Sequence, residues 1–309
     1  WKHIVLFSIP LLIGNFFQQL YNTVDSVVVG QFVSSQALAA VGSTGPVINT
    51  LVGFFMGMST GAGVVISHYF GAKDKDNLHK AIHTTVLLTL LLAVAFTIIG
   101  ILMVPFMIHF MKTPEDVISE STAYLRIYFA GVGGLMIYNM GSGILRAVGD
   151  SRRPLYFLCV SSVINIVFDL LFVIVFHMGI QGVAYATILS EFVSAVMVLW
   201  VLMRTDDIYK LVLRDLALSP HILKKVCVVG IPAGLQMAVT SFSNVFVQSY
   251  INHFGSYCMA GWTSYSKVDQ FVILPMQSLS LAATTFVGQN LGAKDIKRAQ
   301  RGTRTTLYI

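Results

Sequence analysis

Residues 4–30 read IVLFSIPLLIGNFFQQLYNTVDSVVVG, a stretch long and apolar enough to cross a bilayer as a single helix. Four polar side chains recur along it at spacings of three, four and three residues: Asn15, Gln18, Asn22 and Asp25. This spacing places them on one helical face, which ends in a carboxylate. A charged side chain inside a membrane helix costs about 2.5–3.5 kcal/mol on insertion scales. The presence of Asp25 at that depth therefore indicates a function.

The composition of the whole chain is that of an all-α polytopic membrane protein. Of its 309 residues, 55% are hydrophobic and 11% are charged; a soluble domain has about 25% charged residues. The net charge of +6 comes from basic residues spread over loops, so we predict no nucleic-acid partner. The three cysteines lie in or beside apolar segments and are predicted to be core residues, not disulfides or metal ligands.

Apolar runs of roughly 20 residues predict the spanning helices. They lie near 4–29, 45–68, 82–108, 123–145, 154–176, 180–203, 223–251 and 258–288, and a ninth helix begins near the C-terminus. Most of the 20 Lys and Arg residues fall in alternate loops, near 71–80, 146–153, 204–225 and 292–304. The opposite loops contain only Lys112. This bias predicts a multi-pass cell-membrane protein whose N-terminus and basic loops are cytoplasmic.

An internal repeat divides the chain. Ile9-Pro10 aligns with Ile231-Pro232, and the tetrapeptide Gly-Ala-Lys-Asp at 71–74 recurs at 292–295. One repeat holds six predicted helices, an even number, so both copies start on the same side of the membrane. Such a parallel repeat is one of the two symmetric plans of secondary transporters. We predict an N-terminal six-helix lobe over 1–203, a cytoplasmic linker over 204–222, and the first part of a second lobe over 223–309.

Several motifs together resemble the multidrug and toxic compound extrusion (MATE) family. They are Pro10 and Asp25 in the first helix, the turn Leu145-Arg-Ala-Val-Gly-Asp150, the pair Asn165 and Asp169, and the Gly-Ala-Lys-Asp loop. Thr240, at a position where another branch has a glutamate, favours a resemblance to the DinF-like bacterial branch. The resemblance implies a MATE-type fold of two six-helix lobes related by a pseudo-two-fold axis. About eight to nine of the twelve helices would be present, so we expect a sequence truncated at its C-terminal end.

Four acidic residues fall inside predicted spans: Asp25, Asp169, Glu191 and Asp269. At 1.5 Å per residue, Asp169 lies about 22 Å along the fifth helix from its cytoplasmic end. The same rise places Thr187 about 12 Å from the outer end of the sixth helix. Asp25, Asp169 and Thr187 are therefore predicted in the outer half of the first lobe. Their oxygens and that of Asn165 suit a small hard cation, and two neighbouring carboxylates also suit a proton carrier.

The resemblance implies roles for these residues. In it, four positions match a cation site: Asp25, Asn165, Asp169 and Thr187. Pro10 matches a hinge proline of the first helix, and a proline inside a helix removes a hydrogen bond and permits bending. Glu191 and Asn22 are possible additional ligands. The alternatives are a buried polar pair that holds helices together, and a static kink at Pro10.

The seventh helix differs from the first. Val247 stands at the repeat position of Asp25, so cation binding is predicted for the first lobe alone. Residues on a polar stripe of the seventh helix, with one from the first helix and one from the eighth, are predicted to line a substrate cleft: Gln18, Gln236, Thr240, Asn244, Gln248 and Asp269. The alternative for the stripe is hydrogen bonding between helices. A related branch of the family has a glutamate where this chain has Thr240, which puts a second cation site in doubt.

Two apparent catalytic or metal motifs are discounted. Residues 57–61 match the G-x-S-x-G pattern around Ser59, but this nucleophile motif needs a strand-to-helix elbow and here lies in a predicted span. Gly53, Gly57 and Gly61 instead predict close helix packing. His79 and His83 lie beside a basic loop and are expected to have no acidic or cysteine ligand nearby, so no zinc site is predicted.

The sequence therefore predicts a cation-coupled antiporter, driven by Na⁺ or H⁺, that exports amphipathic, often cationic, drug-like molecules by alternating access. We predict no cofactor beyond the coupling ion, no metal beyond Na⁺, and a monomer in the lipid bilayer. A flippase for lipid-linked precursors is the alternative; its cleft should be rich in Arg and Lys, and none is predicted deep in the first six helices. An intramembrane serine hydrolase using Ser59 and His68 is a remote alternative.

Overall fold

The structure, a computed structural model, describes residues 1–110, 115–252 and 256–309. Within these ranges the side chains at 35, 36, 38–40, 42, 43, 45–47, 110, 115–117, 242, 245, 246, 248, 249, 251, 252, 256–261, 263, 264, 266–268 and 270 are outside the description. The described chain forms nine α-helices: α1 Lys2–Phe32, α2 Ser35–Gly71, α3 Lys75–Phe110, α4 Glu115–Ala147, α5 Arg152–Leu170, α6 Gly179–Arg204, α7 Pro220–Asn252, α8 Ser256–Gly292 and α9 Ile296–Tyr308. A π-helical segment, Leu171–Val175, continues α5, and a 3₁₀ turn, Leu213–Asp215, precedes α7. All nine predicted helices are present among these residues; most extend beyond their predicted spans, whereas the fifth ends as an α-helix at Leu170 and continues as the π-helical segment to Val175.

Seven of the described helices, all except α4 and α9, contain a window long and apolar enough to cross a bilayer. The prediction of a span within α4 rested on a weaker apolar run, and the packing of this helix gives the reason. It lies against α2, α3 and α6, so protein surrounds much of its surface in place of lipid. A helix enclosed in this way needs fewer apolar residues than one that faces the bilayer.

Close approach of α2 to α7 joins the two predicted lobes. A Cβ added at Gly57 would overlap the backbone of Gly234, and one added at Gly61 would overlap the backbone of Gly230. Small residues permit this approach, and backbone contact then contributes the van der Waals packing that drives helix association in a membrane. The predicted glycine ridge on α2 therefore packs against a matching pair of glycines on α7.

The repeated Gly-Ala-Lys-Asp loops fold alike. Lys73 and Lys294 adopt left-handed backbone angles, with φ of 57° and 62°, which end α2 and α8. Asp74 then accepts a hydrogen bond from the backbone N–H of Asn77, and Asp295 accepts one from Arg298, so each caps the next helix. Hydrogen bonds from the side chain and backbone of Asn77 lower the pKa of the Asp74 carboxyl. The sequence repeat is thus a structural repeat of helix stop and helix start.

The segment between α6 and α7 is packed against the helices. The Leu211 N–H donates to the Leu202 carbonyl at 2.8 Å, and the Val212 N–H donates to His83 Nε2 at 3.0 Å. The hydroxyl of Thr84 accepts from the Ser219 N–H at 3.0 Å. We call the end of the bundle where this segment and both Gly-Ala-Lys-Asp loops lie the basic face. The end where α1 meets α2 and α5 meets α6 is the opposite face.

Candidate functional site

Two carboxylates meet in the half of the bundle nearest the opposite face. Asp25 lies seven residues before the end of α1, and Asp169 is the penultimate residue of α5. The two helices pack against each other, and the two carboxyl groups lie close enough to interact directly. The depths counted along α1 and α5 therefore place the acids at the same level.

Several buried polar atoms at this level have no hydrogen-bond partner among the described residues. They are one carboxylate oxygen of Asp25, both carboxylate oxygens of Asp169, and both side-chain amide atoms of Asn165. Asp169 is 0% exposed and Asn165 is 1% exposed. Leaving a buried polar group unsatisfied costs about 1–3 kcal/mol, more when it is charged, so these atoms are suited to a ligand that satisfies them.

Thr187 on α6 adds a hydroxyl to the same half of the lobe. It is buried, and its hydroxyl donates to the Val183 carbonyl at 3.0 Å within α6. A hydroxyl that has used its hydrogen still offers oxygen lone pairs to a cation. The side chain therefore remains able to accept, although its orientation is set by its own helix.

Glu191 and three tyrosines also belong to this neighbourhood. Glu191, one helical turn after Thr187, interacts electrostatically with Asp25. Tyr21 and Tyr124 each interact electrostatically with both Asp25 and Glu191, and Tyr124 stacks on Tyr128 with ring centroids 6.4 Å apart. The tyrosines were not singled out from the sequence, although Tyr21 lies one turn before Asp25 on the same face. We call Asp25, Asn165, Asp169, Thr187 and Glu191 the acidic cluster.

The helix that contains Asp169 changes from α-helical to π-helical just after this residue. The α-helical part of α5 ends at Leu170, and residues 171–175 form the π-helical segment. Its first residue accepts from the Phe176 N–H at 3.0 Å, one residue further than in an α-helix. Such wide turns occur often at functional sites. Here the turn lies two residues beyond Asp169.

Other predicted site residues lie outside the acidic cluster. Asn22 is exposed on α1 and accepts from the Ser26 hydroxyl through its backbone carbonyl. On α7, Gln236, Thr240 and Asn244 are exposed, whereas the side chain of Gln248 is outside the described residues. Gln18 and Asp269 are half-buried on α1 and α8. The structure therefore leaves the polar stripe of α7 accessible and does not bring it to the carboxylates.

Pro10 lies inside α1, which stays helical from Lys2 to Phe32. It lines a cavity of about 120 Å³ near the basic face, enclosed by α1, α2, α4, α5 and α8, which we call the inner cavity. Gln18 and Ser59 line the same cavity. The predicted hinge Pro10 and the cluster residue Asp25 thus lie toward opposite ends of α1.

The chemistry of the acidic cluster fits a small cation. Its donors are carboxylate, amide and hydroxyl oxygens, the ligands preferred by hard ions such as Na⁺. Two carboxylates in contact can also share a single proton, because two like charges at that distance cannot both ionise readily. The donor set is therefore compatible with either coupling ion predicted from the sequence.

The discounted motifs have structural explanations. Ser59 lies in the middle of α2, with no strand-to-helix elbow, and its hydroxyl donates to the Asn139 carbonyl at 3.5 Å. The expectation that His79 and His83 have no acidic ligand nearby is wrong, since Asp215 Oδ2 lies 3.3 Å from His79 Nε2. However, both ring nitrogens of His83 are engaged, by the His79 carbonyl and the Val212 N–H. His83 therefore fastens the inter-lobe segment to α3.

Arg146 requires a second correction. The sequence assigned it to a basic loop, but it occupies the last turn of α4 and lines the inner cavity. Side chains on a helix point back toward its N-terminus, which here means into the bundle. Arg146 lies at the end of α4 near the basic face, so the prediction that no Arg or Lys lies deep in the first six helices stays a prediction.

Comparisons with known proteins agree with this architecture. A family model described as MatE matches residues 10–171 and 232–309. "Probable multidrug resistance protein YoeA" of Bacillus subtilis (strain 168) is 33% identical over all of this chain and 68% of its own length. "Probable multidrug resistance protein YpnP" of the same organism is 32% identical over 96% of this chain and 66% of its own length.

A solved structure described as the outward-facing conformation of a multidrug resistance MATE family transporter is similar throughout. It superposes with a TM-score of 0.93 at 29% identity, over 99% of this chain and 68% of that one. The chain thus spans about two thirds of the length of the proteins it matches.

Proposed function

The chain belongs to the MatE family of multi-pass membrane transporters, and from this premise we propose that it is a cation-coupled antiporter that exports amphipathic, often cationic, organic molecules. Na⁺ or H⁺ is the proposed coupling ion, and Asp25, Asn165, Asp169 and Thr187 are its proposed ligands. Glu191 contributes a third carboxylate. The proposal places the N-terminus and the basic face in the cytoplasm and treats the protein as a monomer.

The observation that carries this proposal is the set of unsatisfied buried oxygens on α1 and α5. A pair of carboxylates without a counter-charge is costly in a membrane, so the helices that hold them are stabilised when a cation is bound. Asp25 joins α1 to α5 through that cation, and Asp169 adjoins the π-helical segment. Binding therefore favours one arrangement of α1 over another.

Coupling follows from competition between two bound states. When the cation binds, α1 packs differently against its neighbours along its length. The helix bends at Pro10, because proline has no N–H to donate to the backbone there. If cargo binds better to the other arrangement, each ligand disfavours the other by the same free energy. An inward cation gradient then drives outward movement of cargo.

The test is ethidium transport in proteoliposomes under separate Na⁺ and H⁺ gradients. Asp25→Asn and Asp169→Asn should each lower gradient-driven transport by about tenfold or more, because each removes a charged ligand while keeping its shape. Asp206→Asn is the matched control: this carboxylate is 98% exposed in the inter-lobe segment. Unchanged gradient-driven transport in both cluster variants would exclude the mechanism.

A further inference from the structure

The inner cavity contains an isolated positive charge. Among the described residues that line it, Arg146 is the only charged one, and it is half-buried. Its guanidinium takes part in none of the salt bridges of the described residues, and Tyr138 is the side chain that interacts with it electrostatically. Arginine within a membrane protein is costly and normally pairs with an acceptor. The cavity therefore presents a cation that lacks its counter-charge.

The acidic residue nearest to Arg146 in the sequence already has partners. Asp150 follows Arg146 in the α4–α5 turn, but its carboxylate accepts from the Arg152 and Arg153 N–H groups at 3.0 and 3.1 Å. Its second oxygen pairs with the Arg153 side chain at 3.3 Å. Asp150 thus caps α5 and neutralises Arg153, and the charge of Arg146 is left to the cavity.

A second donor lies beside the guanidinium. A Cβ placed on Gly143 would lie 3.1 Å from Ser59 Oγ and 3.8 Å from Arg146 Nη2. The absence of a side chain at Gly143 therefore leaves room for both groups over the same stretch of α4. The Ser59 hydroxyl makes only a 3.5 Å contact with the Asn139 carbonyl, so it can turn toward a ligand at small cost.

The size of the inner cavity fits a small charged group. A volume of about 10–15 Å³ is enough for one water molecule, so about 120 Å³ admits a carboxylate, sulfonate or phosphate group with attached waters. Guanidinium binds such oxyanions through two parallel hydrogen bonds. Leu11, Leu155 and Leu158 supply an apolar wall beside the polar donors.

We propose that the inner cavity is a subsite for the oxyanion group of an amphipathic organic cargo, with Arg146 as its main ligand and Ser59 as its second donor. The inference rests on the proposed transport function and extends it to anionic and zwitterionic cargo. Occupancy of the subsite places a negative group against α1 at Leu11 and Gly14, at the end of the helix opposite Asp25.

The test is equilibrium binding of radiolabelled 2-naphthoate and of its neutral methyl ester to the full chain in nanodiscs. The carboxylate should bind at least about tenfold more tightly than the ester.

Arg146→Gln should remove that preference and leave ester binding unchanged, and the retained ester binding also reports a folded protein. Arg146→Lys should keep part of the preference, and Ser59→Ala should reduce it about threefold. Arg126→Gln, an exposed position on the same helix, is the control expected to have no effect.

Equal binding of carboxylate and ester, or an unchanged preference in Arg146→Gln, would overturn the proposal. A lipid headgroup offers the same oxyanion chemistry, so nanodiscs of phosphatidylcholine alone are compared with nanodiscs containing phosphatidylglycerol. Similar naphthoate affinity in both supports a cargo site, whereas displacement by phosphatidylglycerol assigns the cavity to lipid and overturns it. No ion gradient is used, so a failed coupling mechanism would leave this measurement intact.

Discussion

The two halves of the α1–α6 bundle contain buried charge of opposite sign, and the described residues neutralise neither. Near the opposite face, Asp25, Asp169 and Asn165 have side-chain atoms without a hydrogen-bond partner among the described residues. Near the basic face, Arg146 lines the inner cavity without an acceptor. Helix α1 contributes to both, through Asp25 at one end and Leu11 and Gly14 at the other. A ligand at either end therefore acts on the same helix.

The difference lies in how each half is built. The acidic cluster has oxygens on three helices; Asn165, Asp169 and Thr187 are buried, and Asp25 and Glu191 are half-buried, an arrangement suited to a small ion. The inner cavity is open enough for a multi-atom group and has an apolar wall. The first lobe thus combines a small, selective cation site with a larger site for one chemical group of a cargo, which α8 of the second lobe helps to enclose. Variants that affect one half and spare the other test this division.

The largest expected effect comes from removing both carboxylates. If Asp25 and Asp169 act as one site, the double variant Asp25→Asn/Asp169→Asn loses no more gradient-driven transport than either single variant, about tenfold or more in each. The measurement is initial ethidium transport in proteoliposomes for the singles and the double. Losses that multiply in the double variant would show two independent sites. Naphthoate binding should be unchanged in all three, since Arg146 is in the other half.

The depth of the carboxylates could be predicted from the sequence because the rise of an α-helix is fixed. Asp25 and Asp169 lie on helices that begin at a recognisable end, so counting residues gives their level. The repeated Gly-Ala-Lys-Asp loops could be recognised for a similar reason, since each folds into a local helix stop and cap. Local rules and fixed dimensions were sufficient for these features.

Features that depend on packing between helices could not be predicted in the same way. Tyr124 lies beside the acidic cluster because of the rotation of α4 about its own axis, and one sequence does not determine this rotation. Arg146 was assigned to a loop because it adjoins a turn, although the direction of helical side chains would have pointed it inward. Asp215 approaches His79 across more than a hundred residues, which only the folded segment between α6 and α7 reveals.

A smaller effect, with opposite signs for stability and binding, is expected at Asn165. Both of its side-chain amide atoms are buried without a partner, so Asn165→Leu should stabilise the cation-free protein by about 1 kcal/mol, or about 2–4 °C in Tm. It should also weaken Na⁺ binding about tenfold, through loss of an oxygen ligand. Thermal unfolding in detergent, with and without Na⁺, measures both effects.

The matched control for that variant is Asn139→Leu. Asn139 is half-buried near the inner cavity, and its amide donates to the Leu135 carbonyl at 2.9 Å. Because this amide is satisfied, its removal should not stabilise the protein. Equal stabilisation by both substitutions would mean that the unpartnered atoms of Asn165 have no special cost, and would weaken the case for a cation site there.

The smallest effect is expected at Thr187, which contributes one neutral oxygen. Thr187→Val keeps the shape and removes the hydroxyl, so Na⁺ binding should weaken about threefold, the scale of one neutral hydrogen bond. Thr187→Ser keeps the hydroxyl and should bind Na⁺ like the unmodified chain. The Na⁺ affinity of both variants is measured from the rise in Tm as Na⁺ is added. If Thr187→Val left Na⁺ binding unchanged, the hydroxyl would serve only the Val183 carbonyl, and Thr187 would not be a ligand of the cation.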